Sequence, residues 1–393
     1  MKILHTSDWH LGQNFMGKSR EDEHRAFLNW LRDKIIDESI DVLIVAGDIF
    51  DTGTPPNYAL ELYYDFLKNL IQTDCKYTII TAGNHDSVST LKAPQQLLSM
   101  LNIYIIASGE EDEIVEIYKK DTLEGVVCAV PFLRDRVVRK ASKSETSKDK
   151  ETSLTDGIKE HYNSLYNRAK EIVKDRDIPI IATGHLTTLG AKSSDSERDI
   201  YIGGTIDIDS SFFSQNFNYV ALGHLHNNQK VGGNSIRYSG SPIPLGFSEA
   251  NMIKKVNIVS FKDNLVFVKE LVIPKSRHLI TIKGDLELIR KELESIEDKR
   301  SWISIELDDK NPQYAHKEIR DIANNLGLTI LIIKIDKSTM ALHSNRDKII
   351  SLDELKPITV FERLLNLENI YDDGDRVELI NSFKVVLDEM EIK

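Results

Sequence analysis

The sequence predicts an α/β fold, and three features of it carry that prediction. Short apolar runs alternate with amphipathic stretches at helical spacing. Five of the runs end in metal-type ligands. Lys2-Ile3-Leu4 leads into Asp8-Trp9-His10, and 42–46 into Gly47-Asp48-Ile49-Phe50-Asp51. Residues 78–82 lead into Gly83-Asn84-His85-Asp86, 180–183 into Gly184-His185, and 219–222 into Gly223-His224-Leu225-His226. Open α/β sheets hold ligand sites at the carboxyl ends of their strands, so one site can collect all five ends. Finally, four of the motifs place Gly beside the ligand, where a sharp turn at the strand end is expected.

The elements follow in order. After Asp8-Trp9-His10 a polar loop, 12–20, sits beside the first ligands and is placed to touch substrate. Phe27, Leu31 and Ile35 mark one face of a helix. Thr54-Pro55-Pro56 is a helix start, with Thr as a cap and Pro in the first turn. That helix carries Ala59, Leu62, Tyr63, Phe66, Leu67 and Leu70, an apolar surface for core packing alone or for core plus a dimer contact. A helix over 95–101 precedes a strand over 103–106, and 126–130 reads as another strand. The stretch 134–156 is rich in Lys, Ser, Thr and Glu and is expected to be mobile. A helix over 158–174 leads to the His185 strand, and a polar loop, 192–198, follows it. Strands near 253–261 and 265–273 complete a first domain, 1–275. A small α+β domain, 276–345, reads as strand, helix, strand, helix, strand. The remainder, 346–393, reads as helices, with a patch at Phe361, Leu364 and Leu365. A longer stripe runs through Leu379, Ile380, Phe383, Val386, Leu387 and Met390.

Composition narrows the class. At 393 residues, two or three domains are expected. Cys75 and Cys128 lie in apolar surroundings and read as core residues in a reducing compartment. Met1-Lys2-Ile3-Leu4 runs straight into the first motif without a signal pattern, and no apolar run approaches the ~18 residues of a membrane span, so a cytoplasmic location is expected. A net charge of −12 counts against simple non-specific adhesion to nucleic acid. The charge is uneven: 351–393 holds 11 acidic and 5 basic residues, whereas 134–150 holds 7 basic and 3 acidic, a pattern that suggests different partners.

The ligand set points to two-metal chemistry. Two divalent ions roughly 3.5–4 Å apart can clamp the attacking and leaving oxygens of a phosphodiester. Asp48 is the natural bridge. Asp8, His10 and one of His224 and His226 would complete one site; Asn84, His185 and the other histidine would complete the second. Oxygen and imidazole donors without cysteine suit Mn²⁺ or iron over structural zinc. His85 can stand free of the metals as proton donor to the leaving oxygen, with Asp51 orienting it. A lone Asp-x-His carries nothing, and His24, His161, His278, His316 and His343 read as surface or packing residues, with His5 structural. The other five histidines all fall in motifs at strand ends. A metal-free scaffold of the same fold is the bland alternative, but no ligand is missing. The stripe at 379–390 would be core or a partner face.

In this order, Asp-x-His, Gly-Asp-x-x-Asp, Gly-Asn-His-Asp, Gly-His and Gly-His-x-His resemble the calcineurin-like metallophosphoesterase superfamily over residues 1–275. Residues 6–12 and 47–55 resemble, within it, the SbcD nuclease family; protein phosphatases of the superfamily carry Arg-Gly where this chain has Thr52-Gly53. The resemblance implies a four-layer α/β/β/α sandwich with a small capping domain and C-terminal helices. It implies one metal on Asp8, His10, Asp48 and His226, a second on Asp48, Asn84, His185 and His224, and His85 as the catalytic histidine. It further implies two Mn²⁺ ions, ATP-dependent 3′→5′ exonuclease action on double strands, and endonuclease action on single strands and hairpins, in DNA repair, recombination and replication. The implied partners are DNA, a second copy of the chain through helices near 56–71 and 95–101, and a coiled-coil ATPase of the SbcC type. The sequence has no Gly-x-x-x-x-Gly-Lys-[Ser/Thr] loop, so nucleotide hydrolysis would come from that ATPase.

Overall fold

A strand that is apolar at every position must be covered on both faces. Val42–Ala46 is such a strand, and all five residues are buried. Its side chains alternate between two cores. Leu43 and Val45, with Leu4 and Ile80 of the neighbouring strands, join one core; Val42 and Ile44, with Ile3 and Ile79, join another. The computed structural model describes residues 1–138, 147–192, 197, 207–262, 265–335, 379–380 and 382–383. In it, six strands form a first sheet in the order Leu265–Val272, Lys255–Lys262, Lys2–Thr6, Val42–Ala46, Tyr77–Thr81, Ile103–Ile106. The last four are parallel. A second sheet runs Gln229–Lys230, Ile236–Tyr238, Tyr219–Gly223, Ile180–His185, Thr122–Cys128, Ile114–Lys119, with the middle four parallel.

Three apolar layers separate four layers of structure. Ile3, Ile44 and Ile79 of the first sheet meet Val127, Ile181 and Ala221 of the second in a sheet-on-sheet core. Helices Glu21–Asp37 and Asn57–Leu70 cover the outer face of the first sheet through Phe27, Leu31, Leu62 and Phe66. Helix Ser147–Val173 and the short helix Ser210–Ser214 cover the second through Leu154, Tyr162 and Phe213. This is the expected α/β/β/α sandwich.

Several local expectations change. The stretch expected to be mobile, 134–156, contains helix Asp135–Val138 and the start of helix Ser147–Val173, which begins well before residue 158. Ile158, Tyr162, Leu165 and Ala169 are buried at i, i+4, i+7, i+11, and the helix extends past that stripe into polar sequence. Asn57–Leu70 has Pro56 rather than Thr54 at its cap position, without a side-chain cap bond. The helix expected at 95–101 is the short Gln95–Ser99, and an unforeseen short helix, Val88–Lys92, precedes it. The strand near 126–130 is Thr122–Cys128, paired with an unforeseen strand, Ile114–Lys119. Ala59, Leu62, Tyr63, Phe66 and Leu67, offered for core or dimer contact, are all buried within the chain.

Strands Leu279–Gly284, Trp302–Leu307 and Thr329–Ile335 form a three-stranded sheet with helices Leu286–Glu294 and Pro312–Leu326 beside it. Asp285 caps the first of these helices through Leu288 N, and left-handed Gly327 ends the second. Trp302 ties this sheet to the loop beside the first ligands. It stacks on Phe15 with ring centroids 5.9 Å apart, and the Arg20 and Arg277 guanidinium groups lie 5.3 and 4.4 Å from its ring. Arg20 and Arg277 both pair with the buried Glu23.

Residues Met1–Lys334 form one compact unit and Ile335–Lys393 another. Of the second unit, Leu379, Ile380, Ser382 and Phe383 are helical, with Ser382 exposed and the other three half-buried. Phe361, Leu364, Leu365, Val386, Leu387 and Met390 lie outside the described residues. Among the described residues, no helix is long and apolar enough to cross a membrane.

Candidate metal centre

Parallel strands that start in register also end in register, so the motifs leave both sheets at one edge. Thr6 lies across from Val45, Ala46 from Thr81, and Gly223 from His185. Beyond the strands, the first two motifs stay zipped: Asp8 N donates to Gly47 O at 3.0 Å and His10 N to Asp48 O at 3.0 Å. The backbone there is bent into the left-handed region at four non-glycine candidate ligands, with φ of 52° at Asp8, 47° at His10, 48° at Asp48 and 94° at His224. Such conformations each cost about 1–3 kcal/mol and persist only where the surroundings enforce them; they gather at functional sites.

The motif glycines serve a purpose beyond the turn that their presence predicted. Gly47 does have a left-handed φ, of 85°, but a Cβ there would also lie 2.0 Å from His185 Nδ1. At Gly83 a Cβ would lie 2.1 Å from Asp48 Oδ1. The residue is small at this position because a ligand occupies the space, with no positive φ involved.

Asp48 sits at the centre. Its Oδ1 accepts the His85 N–H at 2.9 Å, and its Oδ2 lies 3.6 Å from His10 Nε2 and 3.2 Å from His185 Nε2. His185 Nε2 is also 3.0 Å from Asn84 Oδ1. Asp8 Oδ1 accepts the His224 N–H at 2.8 Å, and Oδ2 accepts the Ser7 hydroxyl at 2.6 Å. The His10 ring lies 5.2 Å from that of His226, and the His185 ring 5.4 Å from that of His224. Asp8, Asp48, His10, His185, His224 and His226 are all buried.

The electrostatics favour a cation. Burial alone would lower the His185 pKa, but the Asp48 carboxylate overrides it and raises that pKa to about 9. Burial would raise Asp48, yet His185 holds it well below the ordinary carboxylate range. Burial, reinforced by His185, drops His224 to about 3, which keeps its imidazole neutral and able to act as a ligand. Burial raises Asp8. His10 Nε2 is buried without a hydrogen-bond partner, although it faces Asp48. Ligand atoms of Asp8, His10 and His226 lie within 4.8 Å of one another, as do those of Asp8, Asp48 and His185. An orphaned buried imidazole nitrogen between carboxylates is what a metal ligand looks like, and oxygen with imidazole donors suits a divalent ion such as Mn²⁺.

His85 is half-buried beside these groups, its ring 4.9 Å from that of His10. Its Nδ1 is 2.8 Å from the backbone carbonyl of Asp51. A carbonyl can only accept, so Nδ1 carries the hydrogen and the tautomer is set. The sequence placed the Asp51 carboxylate behind His85. The structure puts the Asp51 carbonyl there and brings its carboxylate to His10 Nδ1 at 3.2 Å.

Sequence reasoning missed two carboxylates. Asp86 is buried and accepts N–H bonds from Ile49, Phe50 and Gly83, stapling the second motif to the third. Its place directly after Asn84-His85 was the available signal. Glu249 lies 3.2 Å from His226 Nδ1, far from any motif, and had none. The histidines set aside behave as packing residues. His5 bridges to Tyr219 and the Leu222 carbonyl between the sheets, His24 is buried, His161 pairs with Glu113, and His278 is exposed. His343 lies outside the described residues.

Residues 1–228 match the family model described as calcineurin-like phosphoesterase, and 275–369 match one described as the type 5 capsule protein repressor C-terminal domain. The chain is 39% identical to the SbcD subunit of the nuclease SbcCD from Escherichia coli K12, across 98% of both chains. It is 36% identical to the Rhodobacter capsulatus protein of the same name over 63% of this chain and 64% of the other. To the Bacillus subtilis protein of that name it is 32% identical, over 78% and 79%. The motifs converge on one buried site, and the similarity runs through the whole length of a relative; the chain therefore belongs to the calcineurin-like phosphoesterase family, among the SbcD proteins of SbcCD nucleases.

Proposed function

We propose that this chain is a two-metal DNA nuclease that works with a coiled-coil ATPase of the SbcC type. The observation that carries the reading is the meeting of five strand-end motifs around Asp48, with His85 fixed at their rim. One ion, Mn²⁺ by preference, would be held by Asp8, His10, Asp48 and His226, and a second by Asp48, Asn84, His185 and His224. Such ions supply Lewis acidity at a phosphodiester and charge stabilisation in its transition state. The protein supplies the rest. The Asp51 carbonyl holds the Nδ1 hydrogen of His85, so Nε2 is the nitrogen that exchanges a proton with the leaving oxygen. Asp86 keeps the loops of Asp48 and Asn84 at a fixed separation through three N–H bonds. In this reading 1–275 is the nuclease domain, 276–345 a DNA-contacting cap and 346–393 the ATPase-binding region. The activity is 3′→5′ exonucleolytic on double strands, with ATP turned over by the partner, and endonucleolytic on single strands and hairpins. The purified chain with Mn²⁺ is expected to cut single-stranded oligonucleotides. Hydrolysis of mononucleotides or phosphopeptides with DNA left intact would favour the rival reading, a small-molecule or protein phosphoesterase.

Two partner surfaces belong to the proposal. The buried face of Asn57–Leu70 cannot serve a dimer, but Leu97 and Met100 are 67% and 82% exposed, and Leu101 beside them is exposed too. Exposed apolar groups of this size mark contact sites, and we assign them to a second copy of the chain. Light scattering is expected to give a dimer at micromolar concentration and a monomer for the Leu97→Glu/Met100→Glu variant; a monomeric wild type would refute it. The stripe at Leu379, Ile380 and Phe383 fits helix-in-groove docking onto the ATPase. Phe383→Ala is expected to weaken capture of the ATPase by about 2 kcal/mol, as loss of a central anchor does, while leaving Mn²⁺-dependent cleavage intact. Unchanged capture together with a lower melting temperature would mark the stripe as ordinary core.

A further inference from the structure

Outside the candidate ligand set, a buried ion pair, Glu249 with Lys254, touches His226 at two places. Glu249 closes the turn Phe247–Glu249, and Lys254 directly precedes the strand Lys255–Lys262. Both side chains are buried. Glu249 Oε1 lies 3.2 Å from His226 Nδ1. Its Oε2 accepts from Lys254 Nζ, from Leu245 N at 3.2 Å and from the Ser241 hydroxyl at 3.4 Å. Lys254 Nζ also donates to the His226 carbonyl at 2.9 Å and to Ser241 Oγ at 2.8 Å. On the other side, Glu197 Oε1 accepts the His226 N–H at 2.7 Å. The ring of His226 is thus held through Nδ1 by Glu249, and its backbone carbonyl by the lysine that Glu249 pairs with.

We propose that Glu249 and Lys254 are a positioning pair that makes His226 a selective and strong ligand for one of the two ions. This inference rests on the two-ion reading above. A carboxylate at Nδ1 fixes the hydrogen there and turns the Nε2 lone pair toward the site, and it raises the basicity of the ligand. His10, assigned to the same ion, is held in a like manner, its Nδ1 3.2 Å from the Asp51 carboxylate, whereas His185, assigned to the other ion, has its Nδ1 3.3 Å from the Ala46 carbonyl and 4.0 Å from Asp8 Oδ1. A buried carboxylate near Asp8 and Asp48 would by itself add a third negative charge to the site. Lys254 cancels that charge, so Glu249 can act on the imidazole without adding net negative charge to the site. The pair also anchors the loop 241–254 to the last motif, beside the Ser241 N–H that the His226 carbonyl accepts at 3.2 Å.

Glu249→Gln alone strands a buried lysine and risks misfolding, so the test uses Glu249→Gln/Lys254→Met in the full chain, with wild type beside it. Mn²⁺ titration followed by electron paramagnetic resonance should show two ions in wild type. In the double variant one ion should bind as in wild type and the other 10–100-fold more weakly, the range for losing such an outer carboxylate. A folded double variant that keeps both ions at wild-type affinity would reduce the pair to a structural ion pair, and equal loss of both ions would also refute selective positioning. Should wild type bind no Mn²⁺, the two-ion reading itself fails, which is a separable result. A second measurement needs no variant to fold in altered form. Long-range ¹⁵N–¹H spectra of wild type should show His226 as the Nδ1–H tautomer, and the Nε2–H tautomer would overturn the proposal.

Discussion

Asp48→Ala is expected to leave the protein without either ion and to lower DNA hydrolysis by about 10³-fold or more, the scale set by removing transition-state charge stabilisation. The reason is positional. Asp48 Oδ2 faces His10 and His185 together, so it stands between the two ligand groups. It also fixes the third motif through the His85 N–H, so its loss disturbs Asn84 and His85 as well. His10→Ala, by contrast, removes a ligand from one group only and should chiefly weaken one ion. Metal content by mass spectrometry after dialysis distinguishes them. Equal loss of both ions in the two variants would contradict the bridging position of Asp48.

His85→Ala is expected to lower cleavage by about 10²–10⁴-fold while both ions stay bound, the range for losing a positioned general acid. His85 bonds Asp48 through its backbone N–H, whereas its imidazole is tied to the Asp51 carbonyl and packs edge-on against His10. Removing the ring therefore leaves Asp48 its hydrogen bond. The role as proton donor has a further consequence. A substrate whose leaving group needs no proton, such as bis(p-nitrophenyl) phosphate, should be hydrolysed by His85→Ala far closer to the wild-type rate than DNA is. An equal drop on both substrates would assign His85 to binding, and loss of metal in the variant would make it a ligand.

The candidate ligands were legible in the sequence because each follows an apolar run, and parallel strands place their carboxyl ends together. Asp8, His10, Asp48, His185, His224 and His226, all buried, and the half-buried Asn84 come to one edge as that logic requires. What supports them was not legible. Glu249 reaches His226 from 23 positions away, past two strands, and no local pattern announces that its carboxylate will be buried. The glycines were read as turns, yet Gly83 is small because Asp48, a residue 35 positions earlier, occupies the place of its side chain. Periodicity showed that Asn57–Leu70 is amphipathic. It could not show that helix Glu21–Asp37 and the first sheet would use up that entire face. In the helix Ser147–Val173, few apolar positions mark its first turns, so its start looked like part of a charged loop.

The most direct test of the two-metal centre is the low-temperature electron paramagnetic resonance spectrum of the wild-type chain loaded with Mn²⁺ and freed of excess metal. Two ions that share Asp48 must lie close enough to be exchange-coupled, about 3.5–4 Å apart in sites of this class. The spectrum should therefore show a coupled pair with two Mn²⁺ per chain, and Asp48→Ala should abolish it. A six-line signal from isolated ions at one or two per chain would contradict the account.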